Sequence, residues 1–330
     1  MSAMPFNLDD MLVITSRALF DLHESDQVYQ EQGLDAYRAH QLEREDEPLN
    51  PGTAFPLVRG LLGINDRSGD QLVEVVILSR NDGDSGLRLM NSIEDHGLGI
   101  TRAAFRGGED PWAYLHPFRC DLFLSVEPAA VQEALQRRIP SALVLDPPEA
   151  LDAGDVDQVR VAFDGDAVLF GDESERYFRD HDLEAFQARE AELADQPMDP
   201  GPFKSFLEAL ATIQARFTDR TSPIRTALVT ARNAPAHKRV IKTLRAWNVH
   251  VDEAVFLGGV EKAEILGAMR PHIYFDDQMT HLERARLLVP SAHVLAQGEQ
   301  KQLFEDSQAT EPTTTSGDIV PTEPQQDVAG

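Results

Sequence analysis

Apolar runs and amphipathic stretches alternate regularly in the second half of the chain. Continuous apolar runs rich in β-favouring residues predict strands at 159–163, 225–229, within 249–257, at 272–275 and at 292–295. Helical periodicity predicts helices at 236–246, 261–269 and 278–287. Strands that alternate with helices of this length form a parallel sheet with helices on both faces, so we expect a doubly wound α/β fold.

Three segments fall outside this alternation. Residues 171–222 lie between the first two strands of the second half and contain the helix-like run FKSFLEALATIQARF, which predicts a small helical cap. The acidic helices around 184–195 are expected to present a solvated face. The proline-containing, acidic segment 146–158 predicts a linker between two halves, and 298–330 predicts a disordered tail. The expected domains are therefore 1–150 and 151–297, followed by that tail.

The two halves match each other at a constant offset of 151 positions. The matching pairs are Ala103/Ala254, Phe105/Phe256, Gly107/Gly258, Gly108/Gly259, Leu115/Leu266 and Arg119/Arg270. The runs 140-PSALVL-145 and 290-PSAHVL-295 also correspond, as do 76-VILSRN-81 and 228-LVTARN-233. An ordered series of matches predicts an internal duplication, with two α/β units in tandem.

Charge and cysteine content narrow the functional classes. The 330 residues include 30 Lys and Arg against 56 Asp and Glu, a formal net charge of −26, which disfavours binding to nucleic acid or anionic membranes. The single cysteine, Cys120, cannot form an intrachain disulfide, which fits a reducing cytoplasm. We find no signal-peptide pattern and no apolar run long enough for a transmembrane helix, and therefore expect a cytoplasmic protein.

Polar residues follow the predicted strands of the second half, where ligands of doubly wound sheets bind. They are Asp164, Asp166, Thr230, Lys262, Asp276 and Asp277. Clustered carboxylates need a cation, and oxygen ligands favour Mg²⁺. One carboxylate can attack phosphorus, and a second one two residues further along an extended strand lies on the same side and can transfer protons. The hydroxyl and the ammonium can hold phosphoryl oxygens.

Ordinary structural roles exist for each of these residues. Asp164 and Asp166 beside a glycine could form a turn with a helix cap, and Lys262 could be a solvated helix residue. Such roles leave the shared strand-end placement unexplained. A receiver-like signalling module would carry its lysine on the last strand, which this order of motifs disfavours. A catalytically silent nucleotide sensor is a third alternative. The ten histidines show no metal-binding spacing and are expected to be structural or surface residues.

The run Asp164-Gly165-Asp166, then Thr230, Lys262 and Asp276-Asp277, resembles the four ordered motifs of the haloacid-dehalogenase-like phosphohydrolases. The longer runs FDGDAVLF, DESE, LVTARNAP and IYFDDQ, with LVITSRALFDL, GLLGIND and ILSRNDGDSG before them, resemble the cytosolic 5′-nucleotidase type I family. The resemblance extends over about residues 10–297. It implies a Rossmann-like core with a small helical cap, and Mg²⁺-dependent hydrolysis of nucleoside 5′-monophosphates such as AMP.

The resemblance also implies individual roles. Asp164 is the expected nucleophile, and Asp166 the general acid and base that also offers Mg²⁺ a backbone oxygen. Thr230 and Lys262 are expected to bind phosphate, while Asp276, helped by Asp277, holds Mg²⁺. The metal set is thus Asp164, Asp166, Asp276 and Asp277. A phosphatase for another small phosphomonoester is the alternative, and a homo-oligomer is compatible with the sequence.

The first half lacks this chemistry at the aligned positions. Ile14 and Ser16 fall near Asp164 and Asp166, Pro111 replaces Lys262, and Ser125-Val126 replace the acidic pair. The first half is therefore predicted to be a degenerate copy with a substrate, effector or interface role. The candidate substrate contacts, in both halves, are Arg17, Ser79, Arg80, Asn81, Arg232 and Asn233.

Overall fold

The computed structural model describes residues 11–149, 151, 157–218 and 222–295, with the backbone alone for residues 11–16. The whole predicted tail and the centre of the predicted linker lie outside the described residues. The ten described strands form one sheet in the order β3-β2-β1-β4-β5-β10-β9-β6-β7-β8. The strands are β1 (Met11–Thr15), β2 (Glu74–Ser79), β3 (Arg102–Phe105), β4 (Cys120–Ser125), β5 (Ser141–Val144), β6 (Val159–Phe163), β7 (Ile224–Thr230), β8 (Glu253–Phe256), β9 (Ile273–Asp276) and β10 (Ser291–His293).

Helices cover both faces of the sheet, as the alternating pattern predicts. Every strand and helix that the sequence predicts in the second half is present, within a few residues at its ends. The helices are α1 (Ser16–Leu19), α2 (His23–Gln32), α3 (Leu34–Glu43), α4 (Phe55–Ser68), α5 (Leu87–Asp95), α6 (Pro128–Gln136), α7 (Glu173–Asp180), α8 (Leu183–Glu192), α9 (Lys204–Gln214), α10 (His237–Ala246), α11 (Lys262–Met269) and α12 (Met279–Ala285).

The two halves contribute five strands each, in mirrored order. Neighbouring strands within each half are parallel, but β5 and β10 pair antiparallel at the centre, with Ala292 opposite Val144 and His293 opposite Leu143. The parallel sheet predicted for each half is therefore part of one continuous mixed sheet. Because the central pair is antiparallel, the carboxyl ends of the two sets of strands lie at opposite edges of that sheet.

Side chains alternate between the two faces of each strand, and the faces are packed differently. One face carries a single apolar core that runs through both halves and includes Ile77, Leu124, Phe163 and Phe275. On the other face, two separate clusters lie around Phe123 in the first half and around residues of the second half such as Val229 and Tyr274.

The inserts between the first two strands of each half cross to the other half. Helix α4 of the first insert lies against β6, and α9 of the second insert lies against β4. Helices α7 and α8 lie beside the strand ends, as expected of a cap, but α9 instead joins the shared core through side chains such as Phe206 and Leu210. Of the segment predicted to form a cap, α9 therefore contributes to the core of the sheet.

Backbone details recur at corresponding places in the two halves. Phe20 bridges Pro51, and Phe170 bridges Pro200, each in an antiparallel isolated bridge. The aligned arginines at 119 and 270 have φ angles of 47° and 50°, in the left-handed region that few residues other than glycine adopt.

Candidate active site

Four adjacent strands bring the predicted polar residues to one edge of the sheet. Strand β6 lies between β9 and β7, so the residues that follow these strands are neighbours. The backbone N–H of Asp164 donates to the carbonyl of Phe275 at 2.8 Å. A Cβ atom placed on Gly165 would lie 3.4 Å from the Thr230 hydroxyl oxygen, so Thr230 contacts the turn between the two aspartates.

Lys262 joins two of the carboxylates. Its ammonium lies 2.8 Å from Oδ1 of Asp164 and 2.8 Å from Oδ2 of Asp276. All three residues are buried, with no more than 4% of any of them exposed. Burial alone would lower the pKa of Lys262, but the two carboxylates outweigh it and raise that pKa above its usual value. The ammonium therefore stays charged inside the site.

Asp276 receives hydrogen bonds from several directions. The Tyr274 hydroxyl donates to Oδ2, the backbone N–H of Gln278 donates to Oδ1 at 2.8 Å, and Nδ1 of His281 lies 3.2 Å from Oδ2. Burial opposes ionisation, but His281 and Lys262 outweigh it and bring the pKa of Asp276 to about 2. Sequence reasoning missed Tyr274 and treated His281 as a structural or surface residue. The signal that was available for His281 is Asp276, five residues before it.

Within this cluster, Asp277 and Asp164 have raised pKa values. Burial raises the pKa of Asp164 to about 7, with Lys262 opposing the shift. Burial, together with repulsion from Asp164 and Asp276, raises the pKa of Asp277 to about 9. The Oδ1 atom of Asp277 is buried and accepts no hydrogen bond from any described residue, while its backbone oxygen lies 2.9 Å from Nε2 of His293.

Oxygen atoms of Asp164, Asp276 and Asp277 lie within 4.8 Å of one another. The set fits a hard divalent cation, because all three donors are carboxylate oxygens and Oδ1 of Asp277 has no hydrogen-bond partner in the part of the chain that the structure describes. Asp166 belongs to the predicted metal set, but its carboxylate is not part of this cluster.

The turn after β6 directs the Asp166 side chain elsewhere. Strand β6 ends at Phe163, as predicted, and the two aspartates lie beyond it, because residues 165–169 form one irregular turn in which Ala167 has a φ of 58°. The carboxylate of Asp166 forms a bidentate ion pair with Arg232, in which two guanidinium nitrogens donate to Oδ1 and Oδ2 at 2.6 and 2.8 Å. Thus Asp166 lies beside the cluster with both of its oxygens occupied by one guanidinium.

Arg232 also contacts the cap. Its third nitrogen donates to Glu190 of α8 at 2.6 Å, and its guanidinium carbon lies 5.6 Å from the centre of the Phe186 ring. The expected solvated face around 184–195 is therefore wrong at Glu190, which is fully buried because Arg232 and Arg239 compensate its charge. Asn233 accepts a hydrogen bond from Gln187 of the same helix at 3.4 Å.

The first-half candidates lie together at the opposite edge of the sheet. Arg17 and Arg80 approach the carboxylate of Glu127 at 3.5 and 3.4 Å, and Asn81 accepts a hydrogen bond from Tyr37. These residues and Ser79 line a cavity of about 340 Å³, which Trp112 also lines. The side chain of Ser16 is outside the described part of the structure. The structure thus does not bring the first-half candidates together with Asp164.

Comparisons with known proteins show which family the chain matches. A family model described as 5′-nucleotidase matches residues 4–301. Cytosolic 5′-nucleotidase 1B of Homo sapiens is 41% identical over 288 residues, which are 84% of this chain and 47% of that protein. The chain therefore spans about half the length of this relative. Among the described residues, no helix has the length and apolarity needed to cross a membrane.

A solved structure, histidinol dehydrogenase from Elizabethkingia anophelis, aligns with 72% of this chain and 48% of its own at 10% identity. Its TM-score is 0.23, so this likeness carries no weight for fold or activity. The family model, in contrast, extends over nearly the whole chain and includes every residue of the buried cluster. The chain belongs to the 5′-nucleotidase family.

Proposed function

We propose that this protein hydrolyses nucleoside 5′-monophosphates, with AMP or other purine nucleotides as substrates, through an aspartyl-phosphate on Asp164. The observation that carries the proposal is the buried contact of Lys262 with both Asp164 and Asp276, at 2.8 Å each, on a rim built from separate strand ends. Membership of the 5′-nucleotidase family supports the same substrate class.

In the first step, a carboxylate oxygen of Asp164 attacks the phosphorus of the substrate. The new Asp164 O–P bond forms as the ester bond to the 5′-oxygen breaks, and the leaving oxygen takes a proton from Asp166. Lys262 and Thr230 stabilise the phosphoryl oxygens as their charge shifts. The products of this step are the free nucleoside and the phosphorylated Asp164.

In the second step, a water molecule attacks the aspartyl-phosphate. Asp166, now ionised, accepts a proton from the water as the bond between phosphorus and Asp164 breaks. Inorganic phosphate leaves, and the two aspartates return to their starting protonation states. The overall reaction therefore consumes one water molecule and needs no further reactant.

Asp164, Asp276 and Asp277 are the residues that would hold Mg²⁺, with the backbone oxygen of Asp166 as a further ligand. When bound, the ion supplies positive charge to the crowded carboxylates and to the phosphoryl group. The Oδ1 atom of Asp277 supports this assignment, since it has no donor among the described residues and a buried carboxylate oxygen in that state is costly. The family resemblance and the oxygen-only donor set support Mg²⁺ as the ion.

A phosphate-release assay tests the proposal. Nucleoside monophosphates and sugar phosphates are compared with and without Mg²⁺, for the unaltered protein, Asp164→Asn and the exposed control Asp195→Asn. We expect Mg²⁺-dependent release from nucleotides, loss of both release and covalent phosphate labelling in Asp164→Asn, and little change in the control. Phosphate release that persists in Asp164→Asn would exclude this nucleophile.

The same assay separates the alternatives. A preference for sugar phosphates would favour the phosphatase for another small phosphomonoester. Nucleotide binding without any phosphate release would favour a nucleotide-sensing protein. The intact contacts of Asp164 with Lys262 support the hydrolase over the sensor.

We further infer that residues 1–150 are a degenerate copy of the catalytic half, 151–297. The mirrored strand order and the two Phe–Pro bridges support a common architecture, and Pro111 at the position of Lys262 supports loss of the chemistry. The first-half cavity is then a second nucleotide site, where Arg17 and Arg80 offer guanidinium groups near Trp112. Its ligand is a different molecule from the one hydrolysed at Asp164, because the two rims lie at opposite edges.

Arg17→Ala and Arg80→Ala test the second site. If the cavity binds nucleotide, each substitution changes KM or the response to added nucleotide while leaving the Asp164 rim intact. If neither quantity changes, these arginines are structural. Among the second-half candidates, the contacts of Arg232 with Asp166 and Glu190 favour positioning over direct substrate binding, whereas Asn233 remains a candidate substrate contact beside the cap.

We also propose that the protein acts in the cytoplasm. The single cysteine and the cytosolic relative support this location, and the net charge of −26 supports a small-molecule partner over nucleic acid or a membrane surface. Light scattering of the purified protein decides whether it associates as a homo-oligomer.

A further inference from the structure

We infer that Glu190, in the cap helix α8, is a positioning residue for the reaction and acts on Asp166 through Arg232. The inference rests on the proposed function, because it takes Asp166 as the group that exchanges protons with the leaving oxygen. Neither the motifs nor the family comparison assigns a role to Glu190.

Hydrogen bonds connect the cap helix α8 continuously to the turn after β6 that holds Asp166. Arg232 donates to the two oxygens of Asp166 at 2.6 and 2.8 Å and to Oε2 of Glu190 at 2.6 Å. All three guanidinium nitrogens are thus used, and the arginine is only 5% exposed. With Nε, NH1 and NH2 each bonded to a carboxylate, the orientation of the guanidinium plane is fixed.

Glu190 is itself held from the other side. Its Oε1 atom accepts from Arg239 at 3.0 Å and from the Ser174 hydroxyl at 2.9 Å. Asp166, Arg232, Glu190 and Arg239 form a series in which acidic and basic residues alternate, and the fully buried carboxylate of Glu190 has an arginine on each side. Packing does not explain the series, because apolar residues of similar volume would fill this part of the core without the free-energy cost of removing charges from water.

The role of Glu190 follows from the geometry of proton donation. A protonated carboxyl group that donates to the leaving oxygen is a weaker acceptor for Arg232 than a carboxylate, because its hydroxyl oxygen accepts hydrogen bonds poorly. The pairing of Arg232 with Asp166 is therefore weaker at the start of the first step, while Asp166 is protonated. The bond to Glu190 keeps Arg232 in place at that moment, so that Asp166 stays beside the phosphorylated Asp164 for the second step.

A change of leaving group separates positioning of Asp166 from general damage to the fold. The nucleoside monophosphate has an alkoxide leaving group, which needs a proton. Its analogue with sulfur in place of the bridging 5′-oxygen has the same base and sugar but leaves as a thiolate, which needs none. The rate constant for phosphorylation of the enzyme is measured in single-turnover experiments. In Glu190→Gln we expect this rate constant to fall roughly 10- to 100-fold with the natural ester, but less than about threefold with the thio-analogue.

Arg232→Lys and Arg239→Lys provide a matched pair if Glu190→Gln folds poorly. Both arginines are buried and form ion pairs with the Glu190 carboxylate. Of these two arginines, Arg232 also pairs with Asp166, and Arg239 does not. We expect Arg232→Lys to reproduce the selective loss on the natural ester, while Arg239→Lys leaves the ratio of the two rates unchanged. Equal losses on both substrates, or equal effects of the two lysine variants, would overturn the inference.

The outcome distinguishes this inference from the proposed function. If the unaltered protein releases no phosphate from either substrate, or Asp164→Asn remains active, the proposed function fails. If the unaltered protein is active, Asp164→Asn is not, and Glu190→Gln lowers both rates alike, then the hydrolase assignment stands and the role of Glu190 is structural.

Discussion

At the level of single residues, Asp277 combines burial, two neighbouring carboxylates and an oxygen atom to which no described residue donates a hydrogen bond. Its pKa is raised to about 9, mainly by burial. In the unfolded chain an aspartate ionises near pH 4, so between about pH 4 and 9 the folded state binds more protons at this position than the unfolded state. In the absence of a cation, this residue therefore lowers stability progressively as the pH rises through that range.

We predict that Asp277→Asn reduces this pH dependence. In a chelating buffer, the variant should gain stability relative to the unaltered protein, and the gain should be larger at pH 8 than at pH 5. Added Mg²⁺ should raise the melting temperature of the unaltered protein more than that of the variant. Urea unfolding across this pH range, with Asp195→Asn as the exposed control, measures both effects. A stability difference that is the same at every pH contradicts the assignment.

At the level of elements, two glycines allow the inserts to return to the sheet. A Cβ atom on Gly201 would lie 2.4 Å from the carbonyl oxygens of Val168 and Phe170, and one on Gly52 would lie 2.9 Å from the backbone of Phe20. Both glycines follow a proline that bridges the phenylalanine after the first strand of its half. The close approach to main-chain atoms excludes any side chain here, because the backbone on the other side cannot move aside.

Gly201→Ala should destabilise the protein by roughly 1–3 kcal/mol through this overlap. The catalytic turn, residues 164–170, contacts Gly201 directly, so activity should also fall at temperatures where the unaltered protein is stable. Gly99→Ala is the matched control, since nothing lies within 4 Å of its Cβ position. Equal unfolding midpoints for the two variants in denaturant would show that the turn accommodates the methyl group.

At the level of the whole molecule, the halves share one core on one face of the sheet. Helices α4 and α9 pack across the boundary, and buried residues of both halves, such as Leu57 and Phe163, belong to the same apolar cluster. A core that is shared in this way couples the stability of the catalytic rim to residues that are far from it in sequence.

We predict a single cooperative unfolding transition. Leu57→Ala, in α4 of the first half, should lower the free energy of unfolding by roughly 2–5 kcal/mol. The temperature at which hydrolysis is lost and the midpoint of calorimetric unfolding should fall by the same number of degrees. The exposed Leu42 provides the control, because Leu42→Ala removes little buried surface. Two separate transitions, with the catalytic half unaffected by Leu57→Ala, would contradict a shared core.

The amino-acid sequence by itself determined the elements and the chemistry at the ends of the second-half strands. Periodicity identified β6, β7, β9 and the helices between them because burial on a strand or helix repeats locally along the chain. The order of strands in a parallel sheet then placed Asp164, Lys262 and Asp276 on one rim, and the structure joins these three by direct contacts. These features depend on nearby residues and on a general rule of sheet topology.

Only the tertiary structure decided how the halves join and what surrounds Asp166. The antiparallel pairing of β5 with β10 depends on backbone hydrogen bonds between distant segments, and it places the two rims at opposite edges. Glu190 looked like a surface residue because its partners, Arg232 and Arg239, are 42 and 49 positions away along the chain. Local pattern records how polar a residue is, whereas its burial and charge compensation depend on which distant groups the fold brings beside it.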